Sequence, residues 1–237
     1  MAKIYAVGVG PGDPELLTRK AERILRSVDV ILAPVSNPSE ASLALETVRE
    51  FIDENRQKII THQFPMTSDK SRLIPAWQEA VTLIAGYVSS GRDVAFITIG
   101  DPLFYSTFIY LLRILRETWP DIPIEVVPGI SSINASAAQA GIPLVESEEK
   151  MAVIPATAGI VPIAAALARF ETVVLLKVKP LFADIMELLR QTGRERSTVF
   201  IERSGSVRQK IITDFDQIAS HSPDYLSLLI VKQPCSL

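Results

Sequence analysis

Short apolar runs alternate with stretches at helical spacing through the first part of the chain. Residues 4–9 form an apolar, β-branched run that ends among glycines, and apolar positions then recur every three or four residues from Ala21 to Val28. Thr18 is a suitable N-cap for that helix. Residues 30–32 form the next apolar run, which we expect Pro34 to stop. The pattern therefore predicts a strand, a helix and a second strand.

The same criteria extend this alternation as far as Gly141, a suitable C′ glycine. The predicted elements are a helix at 41–55, a strand at 59–64, a polar loop at 65–71, a helix from Trp77 to Val88, a strand at 94–98, a helix at 108–115, a strand at 124–127 and a helix of small residues ending at Ala140. This order is typical of an α/β fold with a parallel sheet.

Beyond Pro143 the strands become shorter and the order of elements less regular. Strands are predicted at 151–154, 172–178, 198–202 and 226–231, with helices at 161–168 and 181–191. We therefore expect two α/β domains, residues 1–143 and 144–237.

Three loops follow predicted strands of the first domain, at residues 8–14, 99–104 and 128–132. In open parallel sheets, ligands bind beyond the carboxyl ends of the strands. The first domain is therefore expected to bind a ligand with these loops.

Composition and charge narrow the class of partner. Of the 237 residues 48% are hydrophobic, and 24 Lys and Arg face 27 Asp and Glu, so the formal net charge is −3. No basic footprint for nucleic acid is present. We therefore expect no nucleic-acid partner, and any anionic ligand must be met by local cations.

Cysteine and histidine are scarce. The one cysteine is Cys235, and the two histidines are His62 and His221, which excludes a disulfide framework and a Cys/His zinc cage. We expect no protein-bound metal. No apolar run approaches the roughly 18 residues of a membrane span, and the first strand begins too early for a signal peptide. The prediction is a soluble, cytoplasmic protein with no membrane partner.

The first loop, Gly8-Val9-Gly10-Pro11-Gly12-Asp13-Pro14, resembles nucleotide-binding loops but lacks their key features. Asp13 occupies the position of the third glycine of a dinucleotide fingerprint and would repel phosphate. Asp101 in the second loop suits hydroxyls or a cationic group. Asp101, Ser131 and Ser132 could instead be helix N-caps. A ligand with adenosine and a positive centre, without phosphates, fits these loops best.

The three loops together identify a family resemblance. Val7 to Thr18, Gly100-Asp101-Pro102 and Val126 to Ser132 resemble, in order and spacing, the tetrapyrrole methylases of cobalamin and sirohaem biosynthesis. Phe64 to Asp69 with Trp77, and Gly100 to Phe108, are most similar to the group that methylates C20 of precorrin-2 or cobalt-factor II. The resemblance covers essentially the whole chain.

This resemblance implies two α/β domains with S-adenosylmethionine in the cleft between them, in a homodimer. The cofactor-binding residues that it implies are Pro11, Ile99, Gly100, Asp101, Leu103, Phe104, Ser131, Ser132, Leu176 and Lys177.

The same resemblance implies a tetrapyrrole substrate. Its contacts would be Gly10 and Gly12 of the first loop, with Lys177 and Arg203 for its carboxylates. The sulfonium methyl is already activated, so the enzyme has mainly to align the reacting atoms and exclude water. For the proton that leaves C20, we assign Tyr105 and Asp13 as catalytic candidates.

Three alternatives stay open at this point. The same chemistry could act at another ring carbon, the chain could methylate a protein as diphthine synthase does, or it could bind S-adenosylmethionine without turnover.

Overall fold

The computed structural model describes residues 1–37, 39 and 41–233. Cys235 lies outside the described residues. The chain forms two compact units, Met1–Ser131 and Ser132–Leu237, and each is built on its own five-stranded sheet. No helix among the described residues is long and apolar enough to cross a membrane.

The first unit is a parallel α/β structure. Its elements are β1 (Ile4–Gly8), α1 (Arg19–Leu25), β2 (Val30–Val35), α2 (Leu43–Val48), β3 (Lys58–Gln63), α3 (Lys70–Ser89), β4 (Val94–Thr98), α4 (Phe108–Thr118) and β5 (Ile124–Val127). The strand order is β3-β2-β4-β1-β5, and every pair is parallel. The predicted parallel sheet is confirmed.

Apolar side chains cover the first sheet on both faces. All five residues of β4 are buried, as expected for a central parallel strand. On one face Phe96 packs against Phe108 of α4, with ring centroids 5.6 Å apart. On the other face Ile97 belongs to a cluster with Ile24 of α1 and Ile31.

Local signals place most of these boundaries. Thr18 caps α1, because its hydroxyl oxygen accepts a hydrogen bond from the Ala21 N–H at 3.2 Å. Gly141 has φ +65° and directly follows the helix of small residues that ends at Ala140, as predicted. The polar stretch before α3 ends at Asp69, which caps that helix through the Ser71 N–H, so the helix begins earlier than its apolar positions indicate.

The prediction that Pro34 ends β2 is wrong. β2 continues to Val35, and Pro34 lies opposite His62 of β3. Pairing with β4 covers only Val30 to Leu32. Since Pro34 lies where β2 has a single neighbour, its missing N–H removes no ladder hydrogen bond.

The helix predicted at 41–55 is much shorter in the structure. α2 ends at Val48 and continues as a short 3₁₀ turn to Phe51. Buried Gln57 holds the following segment, because its amide donates to the carbonyls of Leu25 and Val28 at 2.6 and 2.8 Å. Tertiary hydrogen bonds therefore replace helical ones in this segment.

The second unit has a mixed sheet. Its elements are α5 (Ser132–Ala140), β6 (Met151–Pro155), α6 (Ile160–Leu167), β7 (Thr172–Leu176), α7 (Phe182–Gln191), β8 (Thr198–Glu202), β9 (Lys210–Ile212), α8 (Phe215–Ser220) and β10 (Ser227–Lys232). The strand order is β6-β7-β10-β8-β9, with β10 antiparallel to both of its neighbours. β9 and α8 were not predicted.

α5 belongs to the second unit. Ile133 and Ala137 pack with Val174 of β7 and Ile201 of β8. The division into compact units therefore falls between Ser131 and Ser132, whereas the sequence pattern puts the domain boundary at 143/144. The small residues of α5 do not indicate which of the two sheets the helix packs against.

An ion network on the first unit yields a pH prediction. Salt bridges of 2.8 Å to Lys20 and Lys3 lower the pKa of Glu125 to about 2. The lowered pKa contributes stability that is full above the ordinary value of 4.5 and is lost as pH falls towards about 2. Since the three groups are partly exposed, we expect about 1 kcal/mol or less.

Thermal unfolding followed from pH 6 to pH 2.5 tests this contribution. Glu125→Gln should unfold at a lower temperature than the wild type at pH 6, and the difference should shrink with acidification. Glu117→Gln, at an exposed position of α4, is the matched control and should follow the wild type throughout. A pH-independent difference for Glu125→Gln would contradict the assignment.

Candidate functional site

The three loops identified in the sequence follow adjacent strands. β4, β1 and β5 are neighbours in that order, so the loops after residues 98, 8 and 127 leave the same edge of the sheet. α1 connects β1 to β2 on one face of the sheet, and α4 connects β4 to β5 on the other face. This edge is the topological switch point, where open α/β sheets bind ligands.

The loop backbones touch at three glycines. A Cβ added to Gly129 would lie 2.1 Å from the Gly100 carbonyl oxygen and 2.7 Å from the Gly8 carbonyl carbon. A Cβ on Gly8 would lie 2.5 Å from the same oxygen. The Gly100 N–H donates to the Gly10 carbonyl at 2.8 Å, and both residues have positive φ. No side chain fits at Gly8 or Gly129, so the loops approach as bare backbone.

Asp101 joins two of these loops. Its Oδ1 accepts from the Leu103 N–H at 2.8 Å, and its Oδ2 accepts from the Gly129 N–H at 3.1 Å. The alternative that Asp101 caps a helix is wrong, because α4 begins only at Phe108. Each carboxylate oxygen can accept a further hydrogen bond, so Asp101 can still meet a ligand hydroxyl or cation.

The segment Leu103 to Tyr105 exposes three large apolar side chains at this edge. They are 50%, 42% and 47% exposed, and the rings of Phe104 and Tyr105 meet edge to face at 4.9 Å. Tyr105 has φ +53°, an unusual conformation for a bulky residue. Ser106 anchors the end of the segment through contacts of its hydroxyl with the Thr98 hydroxyl at 3.1 Å and the Phe108 N–H at 3.2 Å.

The first loop turns tightly before α1. Gly10 and Gly12 have φ +77° and +138°, and Pro11 between them is buried. The Asp13 carboxylate accepts from the Glu15 N–H at 2.9 Å and so caps a short 3₁₀ turn. Asp13 therefore has a structural partner in addition to its predicted catalytic role.

The remaining first-unit candidates lie beside these loops. Ile99 is half-buried and packs on the cluster beneath β4. Ser131 ends the first unit, and Ser132 begins α5 in the second. The structure thus brings Gly10, Gly100 and Asp101 together, with Leu103 on the same loop.

The second-unit candidates share one edge of the second sheet. β7 and β8 are both antiparallel to β10 and thus run in the same direction. Lys177 and Arg203 directly follow these strands, and their φ values are +55° and +49°. Two strand spacings, about 10 Å, separate the strand ends. Leu176 is the last residue of β7 and is half-buried.

One position in each unit carries no clear sequence signal. In the first unit, nothing in the motif Gly100 to Phe108 distinguishes Ser106 from its neighbours. In the second, the acidic partner of Arg203 is Asp224, which accepts from its Nε at 2.7 Å. Asp224 lies in a polar loop far along the chain. Only the succession of Glu202 and Arg203 after an apolar strand could have indicated an ionic site here.

The donors and acceptors at the first-unit edge fit S-adenosylmethionine. The edge offers backbone carbonyls, the carboxylates of Asp13 and Asp101, and apolar side chains, and the loops at 8–14, 99–104 and 128–132 carry no Lys or Arg. Among the described residues, no group of three or more His, Cys, Asp or Glu could hold a metal ion. His62 contacts the Ala76 carbonyl oxygen through Nε2 at 2.9 Å and packs against Phe64.

Comparison with known proteins gives consistent matches. Residues 3–219 match the sequence model of the family described as Tetrapyrrole (Corrin/Porphyrin) Methylases. The chain is 36% identical over 236 residues to a probable cobalt-precorrin-2 C(20)-methyltransferase of Methanocaldococcus jannaschii, covering 98% of this chain and 96% of that protein. It is 41% identical over 192 residues to the cobalt-precorrin-2 C(20)-methyltransferase of Salmonella typhimurium, covering 81% and 79%.

A solved structure shares the fold. Uroporphyrin-III C-methyl transferase from Thermus thermophilus, complexed with S-adenosyl homocysteine, aligns with a TM-score of 0.71 at 23% identity and covers 97% of each chain.

The glycine contact predicts a sharp effect of a single methyl group. Gly129→Ala places a Cβ against two backbones that cannot yield, and we expect a loss of about 2 to 3 kcal/mol in the free energy of unfolding. Affinity for S-adenosylmethionine should fall as well, because the loops move apart. Denaturant unfolding and calorimetric titration measure the two effects.

Gly86→Ala is the matched control. Gly86 is an exposed position of α3 where an added Cβ meets nothing within 4 Å. Alanine there should raise stability by about 0.5 to 1 kcal/mol through its helix propensity. If Gly129→Ala behaved like this control, the close contact of the loops would be refuted.

Proposed function

This chain belongs to the tetrapyrrole (corrin/porphyrin) methylase family, and from that premise we propose that it transfers a methyl group from S-adenosylmethionine to C20 of precorrin-2 or cobalt-factor II in cobalamin biosynthesis. The observation that carries the proposal is the agreement between the names of both curated relatives and a loop edge without phosphate-binding cations. It is a C-methyltransferase, since the curated relatives are methyltransferases.

We assign cofactor binding to the first-unit loops. Asp101 meets the polar groups of the ribose or methionine part, and its own loop contacts hold it in place. Ile99 and Leu103 provide apolar contact. Pro11, Phe104, Ser131 and Ser132 are assigned by family resemblance, as are Leu176 and Lys177 in the second unit. The Thermus relative of this fold contains the demethylated cofactor.

The reaction demands alignment more than acid–base power. S-adenosylmethionine supplies a methyl group activated by its sulfonium centre. The half-exposed Leu103, Phe104 and Tyr105 side chains offer an apolar surface that excludes water and orients a flat macrocycle. Gly10 and Gly12 leave the first loop without side chains, so a ring can approach its backbone closely.

The substrate's carboxylates need cations that an acidic protein must supply locally. Lys177 and Arg203 lie at one edge of the second sheet, and we assign them to this role. A guanidinium binds a carboxylate through two parallel N–H bonds, whereas an ammonium acts as a compact charge. The two residues therefore provide different contributions, geometry from Arg203 and charge from Lys177.

We further propose that the protein is a homodimer in the cytoplasm, as the family resemblance implies. Size-exclusion chromatography with light scattering tests the homodimer. We expect a mass near 52 kDa, about twice the 26.0 kDa of the chain. Fractionation of the cell tests the cytoplasmic location.

An anaerobic methyl-transfer assay tests the proposed reaction directly. Metal-free precorrin-2 and cobalt-factor II are offered separately with S-adenosylmethionine, and NMR locates any new methyl group. We expect the methyl on C20 with at least one acceptor. A methyl at another ring carbon would move the assignment within the family. Transfer to a protein acceptor alone would refute a tetrapyrrole substrate, and binding of S-adenosylmethionine without transfer would refute these two acceptors and leave another ring intermediate or a protein acceptor.

Substitution of the two catalytic candidates tests the fate of the C20 proton. Tyr105→Phe should lower kcat about 10²-fold if its hydroxyl takes the proton, with little change in the KM for either substrate. Asp13→Asn retains an acceptor for the Glu15 N–H and separates a catalytic from a capping role. If both variants keep full kcat, neither group is the base.

A further inference from the structure

An ionic cluster lies at the carboxyl end of β8 in the second unit. Glu202 is the last residue of the strand and is only 5% exposed. Its Oε2 accepts from the Asp224 backbone N–H at 2.7 Å and from His221 Nε2 at 3.1 Å. Lys210 Nζ lies 3.5 Å from Oε1. A buried carboxylate with this many donors fixes the segments that supply them.

Asp224 in turn fixes the position of the Arg203 side chain. Its Oδ2 accepts from Arg203 Nε at 2.7 Å and also pairs with Nη2. The Arg203 N–H donates to the Leu226 carbonyl at 2.8 Å. Side chain and backbone of Arg203 are thus both tied to residues 224–226, which Glu202 holds in turn.

Both carboxylates are ionised at neutral pH. Burial alone would raise the pKa of Glu202, but hydrogen bonds from Asp224 and His221, together with Lys210, hold it below its ordinary value. Burial likewise acts to raise the pKa of Asp224, and the Arg203 guanidinium outweighs it and lowers the pKa. The cluster therefore stays charged and ordered at the pH of the assay.

Among the described residues, the bonds given above hold the guanidinium along one side. Asp224 engages Nε and Nη2, and the side chain remains 27% exposed. The N–H groups of Nη1 are not in any of these bonds. A guanidinium fixed by one carboxylate can receive a second carboxylate on its other side at little further entropic cost.

The spacing of cations at this edge favours a large ligand. The strand ends that carry Lys177 and Arg203 are about 10 Å apart. A macrocycle that carries several carboxylates around its rim can pair with both cations at once across such a distance. We propose that Asp224, itself held by Glu202, is a positioning residue that orients Arg203 for a peripheral carboxylate of the tetrapyrrole. This inference rests on the proposed function.

The test is a double-mutant cycle on methyl transfer. Wild type, Arg203→Gln, Asp224→Asn and the double variant are compared for kcat and for the KM of each substrate. We expect each single variant to raise the tetrapyrrole KM about tenfold, with the KM for S-adenosylmethionine within about twofold. The double variant should be no worse than Arg203→Gln, because Asp224 acts through Arg203.

Controls separate positioning from a general loss of structure. Asp216→Asn, at an exposed position of α8, should match the wild type. Asp224→Glu keeps the charge but displaces the guanidinium, so it should raise the tetrapyrrole KM even if Asp224→Asn folds poorly. Unchanged tetrapyrrole KM in both Asp224 variants, additive effects in the double variant, or a change confined to the unfolding temperature would overturn the inference.

The wild-type protein alone tells whether the proposed function fails. If the wild type methylates neither tetrapyrrole, that function fails. The absorbance change on binding cobalt-factor II, with S-adenosylhomocysteine present, then decides the inference. A weaker Kd in Arg203→Gln and Asp224→Asn, without additivity, supports it, and wild-type affinity in both overturns it.

Discussion

The first unit depends on a backbone contact that tolerates no side chain. Gly8, Gly100 and Gly129 end or follow three adjacent strands, and a Cβ on Gly8 or on Gly129 would lie 2.5 Å or less from the Gly100 carbonyl oxygen. Because the strands are only about 4.8 Å apart, loops with side chains would have to diverge at once. Their close approach keeps the polar atoms of all three loops at one edge. Asp101 then locks the arrangement through the Gly129 N–H.

The two sheets supply different chemistry at their edges. Around the first contact the groups are neutral or acidic, and the apolar surface of Leu103 to Tyr105 is beside them. At the second edge the chain places Lys177 and Arg203, and Arg203 is paired with the Asp224 carboxylate. Under the proposed function, the neutral and acidic groups of the first edge suit a sulfonium cofactor, and the cations of the second edge suit the carboxylates of the substrate. The overall net charge of −3 gives no indication of this difference in charge between the two edges.

Sequence patterns anticipated what local chemistry determines. Thr18 and Gly141 are where capping rules place them, and β4 has the full burial of a central parallel strand. The sequence patterns did not predict features that depend on partners distant in the chain. Pro34 stays in β2 because the pairing of β2 with β4 has already stopped at Leu32. The Arg203–Asp224 pair joins two segments that no sequence periodicity connects. The family motifs identified the loops, but not the contacts that hold them.

Backbone strain is concentrated in the same places. Four non-glycine residues have positive φ in the described part of the chain, and three of them, Tyr105, Lys177 and Arg203, lie in loops that follow β4, β7 and β8. Each costs about 1 to 3 kcal/mol unless its surroundings support it. Glycine would relieve the strain but would remove the side chain. The strained positions thus coincide with three residues that the proposed function assigns to catalysis and binding. The contact of Ser106 with Thr98 supports the loop that carries Tyr105.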